Sequence, residues 1–309
     1  MEKQTDKQGL SSAPSSTCEA SDKIEVFEQH RSRLTGIAYR ILGARTEAED
    51  VVQDCSIKWL EAKTAEIDNP TAWLTTVVTR RAIDVLRSAQ RARVDYVGHW
   101  LPEPAATQST PEETVELAST LSTAFLLVLE RLSPKERAAF LLREVFELPY
   151  GQIAEAINVT EGACRKLVSR AKQDVQAKDT RHTPPIKRQK ELLFAFETAI
   201  RTGSPDQLAF MLAEDVELRA DGGGKVAAIR KRIVGADVVA FIVKKLHLWW
   251  REYSFHVADI NGGLGVVLMQ GNVSIAAVTF SYDQSGQVSD IQIQRNPEKL
   301  QALEFSTLQ

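Results

Sequence analysis

Between Leu148 and Lys172 the chain meets, at fixed offsets, the residue requirements of two short helices joined by a tight turn. Counting from Tyr150, the positions that must turn inward are Ile153, Ile157, Val159, Cys164 and Leu167. Ala154 is small where the two helices would cross closely. Asn158 falls at the turn position that needs a positive φ, which asparagine tolerates better than other non-glycine residues. Thr160 then caps the second helix and leaves Glu161, Gly162, Arg165, Lys166, Ser169 and Arg170 facing outward. This is the pattern of a helix-turn-helix, whose second helix sets its N-terminal half on base edges and its cations on phosphates. The plainer alternative is an αα-hairpin with a solvated basic face. Cys164 reads as a small buried hydrophobe, with no histidine partner nearby in sequence.

The rest of the chain is long enough, at 309 residues, for two or three domains. A net charge of −3 argues at first against nucleic acid, but the charges are segregated rather than mixed. Cys18, Cys55 and Cys164 lack metal-ligand spacing and read as reduced thiols; no metal or cofactor is expected. The polar N-terminus contains no signal peptide. The apolar runs Ala124–Leu129 and Val238–Val243 are too short to span a bilayer, so a cytoplasmic protein without a membrane partner is expected.

Residues 1–22 lack periodicity and read as a disordered tail. Residues 23–93 are helical: Gly43 ends one helix, Thr46-Glu47-Ala48-Glu49 is a capping box for the next, and Asn69-Pro70 starts a third. That third helix buries Trp73, Leu74, Val77, Val78, Val85 and Leu86 on one side. Residues 94–115 are a proline-rich, extended linker. Helical periodicity resumes at Glu112 and runs to about Ala177, which gives a second helical domain over 116–178, and Ser133-Pro134-Lys135-Glu136 combines a capping box with a first-turn proline. A second linker covers 179–186. Residues 187–309 change character, from two helical segments to alternating stretches at 253–260, 265–269, 273–281 and 288–294, separated by turn signals such as Asn261-Gly262-Gly263. Helices followed by strands imply an α+β domain with a meandering antiparallel sheet.

Two charged stripes stand out in the first helical domain. Arg80, Arg87 and Arg91 share one side of the helix from Pro70, flanked by Arg81 and Arg93. Glu47, Asp50 and Asp54 line one face of the preceding helix. Either stripe alone could be solvated surface. Beside a helix-turn-helix across a proline-rich tether, they suggest two DNA-facing units able to reach two elements of one DNA site.

The segments Glu47-Ala-Glu-Asp-Val-Val-Gln-Asp54 and Asn69-Pro-Thr-Ala-Trp-Leu-Thr-Thr-Val-Val-Thr-Arg-Arg81 resemble region 2 of bacterial extracytoplasmic-function sigma factors, and Leu132 through Lys172 resembles region 4. The resemblance implies two all-α sigma domains that bind core RNA polymerase, through the clamp helices of its largest subunit and the flap, and promoter DNA. It implies that Glu47, Asp50, Gln53 and Asp54 face polymerase. Thr79, Arg80 and Arg81 would lie near the flipped −10 base, with Arg87 and Arg91 on phosphates. Thr160, Glu161, Arg165, Lys166, Ser169 and Arg170 would form the −35 surface. Trp73 is the aromatic nearest the melting site, but its place on the apolar face favours core packing over base capture.

Three further motifs resemble a SigJ-like subgroup that carries a C-terminal SnoaL-like cone. They are Trp100-Leu101-Pro102-Glu103-Pro104, Asp221-Gly222-Gly223-Gly224-Lys225 and Asn296-Pro297-Glu298-Lys299-Leu300. The resemblance implies a built-in regulatory domain docked on regions 2 and 4. The glycine run would permit close backbone approach, and Lys225 would pair with Glu103. A small ligand in the cone's pocket stays open as a partner. Asp215, Asp221, His247 and His256 are the acid–base candidates for an enzyme, but they form no spacing motif. The expected protein is therefore a non-enzymatic initiation factor. The alternatives are a polymerase-independent helix-turn-helix regulator and a small-molecule sensor or enzyme.

Overall fold

The computed structural model of the protein describes residues 16–93, 96–105, 122–176, 182–301 and 303. Its first three helices are α1 (Ser16–Leu42), α2 (Arg45–Glu61) and α3 (Pro70–Arg93). Helix α1 begins within the stretch read as a tail, of which residues 1–15 lie outside the described residues. It stops at Gly43 as expected, with φ +72° and the Gly43 N–H returned to the Tyr39 carbonyl at 2.7 Å. Helix α3 also starts as read, with Asn69 Oδ1 accepting the Ala72 N–H at 3.0 Å. Its Leu74, Val78 and Leu86 are fully buried and Trp73, Val77 and Val85 pack at the margin. Trp73 sits 5.5 Å from the Trp59 ring, which is core packing.

Helix α2 departs from expectation. Its N-cap is Ala44, with no side-chain cap of its own, and the Thr46–Glu49 box does not form. The exposed N–H groups of Arg45 and Thr46 are accepted instead by the Glu103 carboxylate, supplied by the linker. A carboxylate held by tertiary packing satisfies two orphan donors and complements the helix dipole, so the local box has no task left.

Four helices follow: α4 (Thr123–Leu129), α5 (Pro134–Glu144), α6 (Tyr150–Ala156) and α7 (Glu161–Gln176). The Ser133–Glu136 capping box forms in full ahead of α5. The onset of this helical run, read from Glu112, falls in 106–121 and lies outside the described residues. Helices α1–α7 share one continuous core that runs from Phe27, Ile37 and Trp59 through Leu74 to Phe125, Phe140, Ile153 and Val168. The expectation of two units on a flexible tether is thereby corrected for this conformation. The apolar faces of α4 and α5 are completed by the first domain, since small helical units bury little surface alone.

The last part comprises α8 (Ile186–Thr202), α9 (Asp206–Ala209), β1 (Leu212–Asp221), β2 (Ile233–Val234), α10 (Ala236–Trp250), β3 (Ser254–Ile260), β4 (Gly263–Gln270), β5 (Val273–Tyr282), β6 (Val288–Gln294) and α11 (Pro297–Leu300). Strands β3–β6 form the antiparallel meander that the turn signals imply. The sheet as a whole is mixed, in the order β2-β1-β6-β5-β4-β3, because β1 pairs with β6 in parallel. Residue alternation reveals which face a strand buries but not the direction of its partner. One sheet face packs on α8 and α10 through Leu218, Val278 and Ile291 against Phe196, Val243 and Trp250. The other carries a polar row, Thr279, Ser281, Gln292 and Gln294, that meets α4 and the linker.

Candidate functional site

The linker residues 96–105 have no regular secondary structure, yet Leu101, Pro102, Glu103 and Pro104 are all buried. They are gripped from both sides. On the α1–α3 side, Glu103 caps α2, its N–H donates to the Gly43 carbonyl at 2.8 Å, and its carbonyl accepts the Tyr39 hydroxyl at 2.7 Å. Trp100 rests on Gly43, where a Cβ would lie 2.9 Å from the indole. The Arg93 guanidinium stacks 3.5 Å from the Trp100 ring centroid.

On the other side stands Asp221, at the end of β1 and fully buried. Its carboxylate accepts the Leu101 N–H at 2.9 Å, the Tyr96 hydroxyl at 2.7 Å and the Lys299 ammonium at 2.6 Å. Lys299 also donates to the Leu101 carbonyl at 2.6 Å and lies over the Trp100 ring. Burial lowers the Lys299 pKa, and the Asp221 charge opposes that shift. Gly223, at φ +61°, lets Asn296 sit where any Cβ would collide with its side-chain amide. Asn296 in turn caps α11 through the Glu298 N–H and reaches the Tyr96 hydroxyl at 3.2 Å. The three motifs thus meet around one buried ion pair, which charge-assisted hydrogen bonds complete on every side. The expected Lys225–Glu103 pair does not form. Lys225 pairs with Glu298 at the surface, because Glu103 is turned away toward α2.

Asn261, read only as a turn residue, joins this clamp to the remaining modules. Its φ is +55° and it is 1% exposed. Its Oδ1 accepts the Tyr39 hydroxyl at 3.0 Å and the Ala105 N–H at 2.8 Å, and its Nδ2 donates to Thr123 Oγ1 at 2.9 Å. One amide therefore ties α1, the linker and α4 to the β3–β4 turn. Nearby, the fully buried Arg137 of α5 donates twice to the Arg40 carbonyl, at 3.1 and 3.0 Å, and shares Glu130 with Arg93.

The residues read as DNA-facing divide sharply. On α7, Glu161, Arg165, Lys166, Ser169 and Arg170 are exposed, and Thr160 Oγ1 caps the helix at the Ala163 N–H. Asn158 has the expected positive φ of 52°. The inner face runs Ile153, Ile157, Cys164, Val168 and Ala171, with Val159 and Leu167 only partly covered. Arg165 pairs with Glu161 and stacks on the Tyr150 ring at 4.3 Å, and Arg170 stands 3.9 Å from Glu136.

On α3 part of the surface is engaged by other elements. Arg80 donates to the Glu155 carbonyl at 2.8 Å and the Ala156 carbonyl at 3.3 Å, at the C-terminal end of α6. A cation at that helix end is favoured by the dipole. Thr79 is fully buried with its hydroxyl unpaired, so the expectation that it is open to DNA fails in this conformation. Arg81 pairs with Asp54 at 2.9 Å, and Arg87, beside Asp84, and Arg91 remain exposed.

Of the acidic stripe, Asp50 and Gln53 are exposed. Glu47 is not on that open face: it is half-buried with one oxygen unpaired, and burial raises its pKa against the pull of Arg93. The acid–base candidates do not converge. Asp215 is exposed, Asp221 belongs to the clamp, His247 bonds the Ile200 carbonyl at 2.8 Å, and His256 lies by Ser254. Among the described residues no helix is long and apolar enough to cross a membrane.

Residues 26–92 match the sigma-70 region 2 family model and residues 122–175 the sigma-70 region 4 model. The chain is 37% identical over 250 residues to the ECF RNA polymerase sigma factor SigJ of Mycobacterium tuberculosis, covering 79% of this chain and 80% of the relative. It is 31% identical over 280 residues to the probable ECF sigma factor SigI of the same species, covering 90% and 94%. The crystal structure of M. tuberculosis SigJ superposes with a TM-score of 0.71 at 29% identity, over 91% of this chain and 98% of that one.

Proposed function

The chain belongs to the extracytoplasmic-function family of RNA polymerase sigma factors and is a transcription initiation factor, and from that premise we propose that its C-terminal domain holds it in a closed, restrained state. The observation that carries this is the seat of Arg80. Its guanidinium is engaged by the carbonyls ending α6, the first helix of the helix-turn-helix. Arg80 cannot serve a −10 element and that helix end together, so promoter melting requires α3 and α6 to part.

In this reading Arg87 and Arg91 are already accessible to the −10 region, and Thr79, Arg80 and Arg81 join them once α3 parts from its neighbours. Thr160, Glu161, Arg165, Lys166, Ser169 and Arg170 read the −35 element and are already accessible. Asp50 and Gln53, with Asp54 after release from Arg81, meet the polymerase clamp helices, where bacterial polymerase works in the cytoplasm. The Asp221–Lys299 clamp and Asn261 hold the linker so that α4–α7 stay on α1–α3, and loosening them frees both DNA-facing units.

Run-off transcription with core polymerase tests the proposal. Asn261→Gly keeps the positive φ but removes the amide that joins the modules, and initiation at limiting factor concentration is expected to rise. If limited proteolysis shows the variant opened while initiation stays at the wild-type level, the restraining role is wrong.

A further inference from the structure

Helix α10 is apolar on two faces, and only one of them is covered. Val239, Ala240, Val243, Leu246 and Trp250 are buried against the sheet and α8. On the other side Val238, Phe241, Leu248 and Trp249 are 49%, 54%, 61% and 65% exposed. A helix that is hydrophobic all round is normally buried all round. Isolated exposed apolar residues need no explanation, but a line of them along one helix does.

The exposed line has a period. Val238 and Lys245 are seven apart, Phe241 and Leu248 are seven apart, and the two series are offset by three. Ile242, half-buried against the core, and the exposed Trp249 take the adjoining positions, again seven apart. This is the a, d and e spacing of a helix that receives the knobs of another helix. The helix is fixed to the domain by its buried face, so the seam is presented ready-formed and little ordering opposes binding.

Charge selects the occupant. Lys244 and Lys245 are exposed at the middle of the seam, with Lys245 Nζ 5.2 Å from the Phe241 ring centroid. The loop leading into α10 adds the exposed run Arg230, Lys231 and Arg232, of which Arg232 pairs with Glu217. Asp237 is the exposed acid at the near end of the helix. An antiparallel pairing of α10 with a second copy would bring Lys244 and Lys245 against the same lysines, and like charges in a seam are repulsive. A helix with carboxylates at the flanking positions has no such penalty.

We propose that the outer face of α10 is a docking site for an amphipathic, acidic helix of a partner protein. The site is independent of the polymerase- and DNA-facing surfaces on α2, α3 and α7. It rests on the domain that holds the linker, because α10 packs against β1, whose last residue is Asp221.

The full-length protein and two labelled synthetic peptides test this by fluorescence anisotropy. Both peptides carry leucine at a and d; one has glutamate at e and g, the other lysine. The glutamate peptide is expected to bind about tenfold more tightly than the lysine peptide. Leu248→Ser with Trp249→Ser, both at exposed positions, should abolish binding, while circular dichroism and thermal unfolding stay unchanged. Lys244→Glu with Lys245→Glu should reverse the preference between the peptides. Equal binding of both peptides, or of neither, overturns the proposal. So does a concentration-dependent dimer lost on Trp249→Ser, which would assign the face to a second copy. Partition onto phosphatidylglycerol vesicles that is lost with the same substitution, without peptide preference, would assign it to a membrane and also overturn the proposal.

Discussion

The Tyr39 hydroxyl of α1 donates to Asn261 Oδ1 of the β3–β4 turn at 3.0 Å, across 222 positions of sequence. The same oxygen accepts the Ala105 N–H, and the amide nitrogen holds Thr123. Asn261→Gly leaves the left-handed turn intact but strands the Ala105 N–H in a partly buried site. We expect a loss of about 1–3 kcal/mol of stability and a wider separation of the helical modules. Chemical denaturation and energy transfer between labels on α2 and α7 measure the two effects. Unchanged transfer would separate Asn261 from module docking.

Glu103 is the N-terminal cap of α2 and comes from outside the domain it caps. Glu103→Gln keeps the shape but removes the charge that faces two N–H groups and the helix dipole. The expected cost is about 1 kcal/mol, rising to about 2 kcal/mol for Glu103→Ala, which leaves the donors without an acceptor. Urea unfolding gives both values. A smaller effect for Ala than for Gln would show that the carboxylate does not act as the cap.

His99 lies beside this clamp, half-buried, with its Nε2 unpaired. Burial lowers its pKa below the ordinary value near 6.5, and Arg219 and Arg232 push in the same direction, against Asp221 and Glu217. Between the lowered value and 6.5 the unfolded chain binds more protons than the folded one, so stability falls as pH drops through that window. Glu47 acts oppositely. Burial raises its pKa above the ordinary 4.5, so folding favours its protonated form and stability rises as pH falls toward that range. His99→Gln should flatten the loss below pH 6.5, and Glu47→Gln the gain, in thermal unfolding followed across pH. A profile unchanged by His99→Gln would mean that its ring titrates alike in both states.

The local grammar of the chain was readable, and its long-range wiring was not. Asn158 at the turn, Ser133 at the α5 cap and Asn69-Pro70 at α3 are choices fixed by neighbouring backbone, and each stands where the residues place it. The inner face of α7 settles on Val168 and Ala171, while Leu167, which the pattern turns inward, is only partly covered. The motif at 221–225 is legible as a site of close approach, but nothing local shows that Lys225 pairs with Glu298 and Asp221 with Lys299. Lys225 and Lys299 are both lysines within motifs, and only burial distinguishes them: Lys299 lies over the aromatic rings beside Asp221, while Lys225 stays at the surface. Asn261 gave no signal beyond its turn, since Asn-Gly also suits any hairpin. The burial of Thr79 and the engagement of Arg80 by α6 are likewise hidden, because an amphipathic helix has the same sequence whether its polar side meets DNA or another domain.

Arg80 and Arg165 separate the two halves of the proposed promoter surface. Arg165 is exposed and, among the described residues, is held by Glu161 and the Tyr150 ring, within its own module. Arg165→Ala should leave stability and module separation unchanged and weaken −35 binding by roughly 1–3 kcal/mol if the guanidinium reads a base edge. An equal loss on every −35 variant would make it a phosphate contact instead. Arg80 bridges two modules, so Arg80→Ala has two effects of opposite sense. The free factor should open, because the carbonyls of Glu155 and Ala156 lose their donor, and permanganate footprinting should show less melting at the −10 element. Loss of melting without opening would mean that Arg80 serves DNA but does not hold the closed state. Opening with normal melting would place the −10 contact elsewhere on α3.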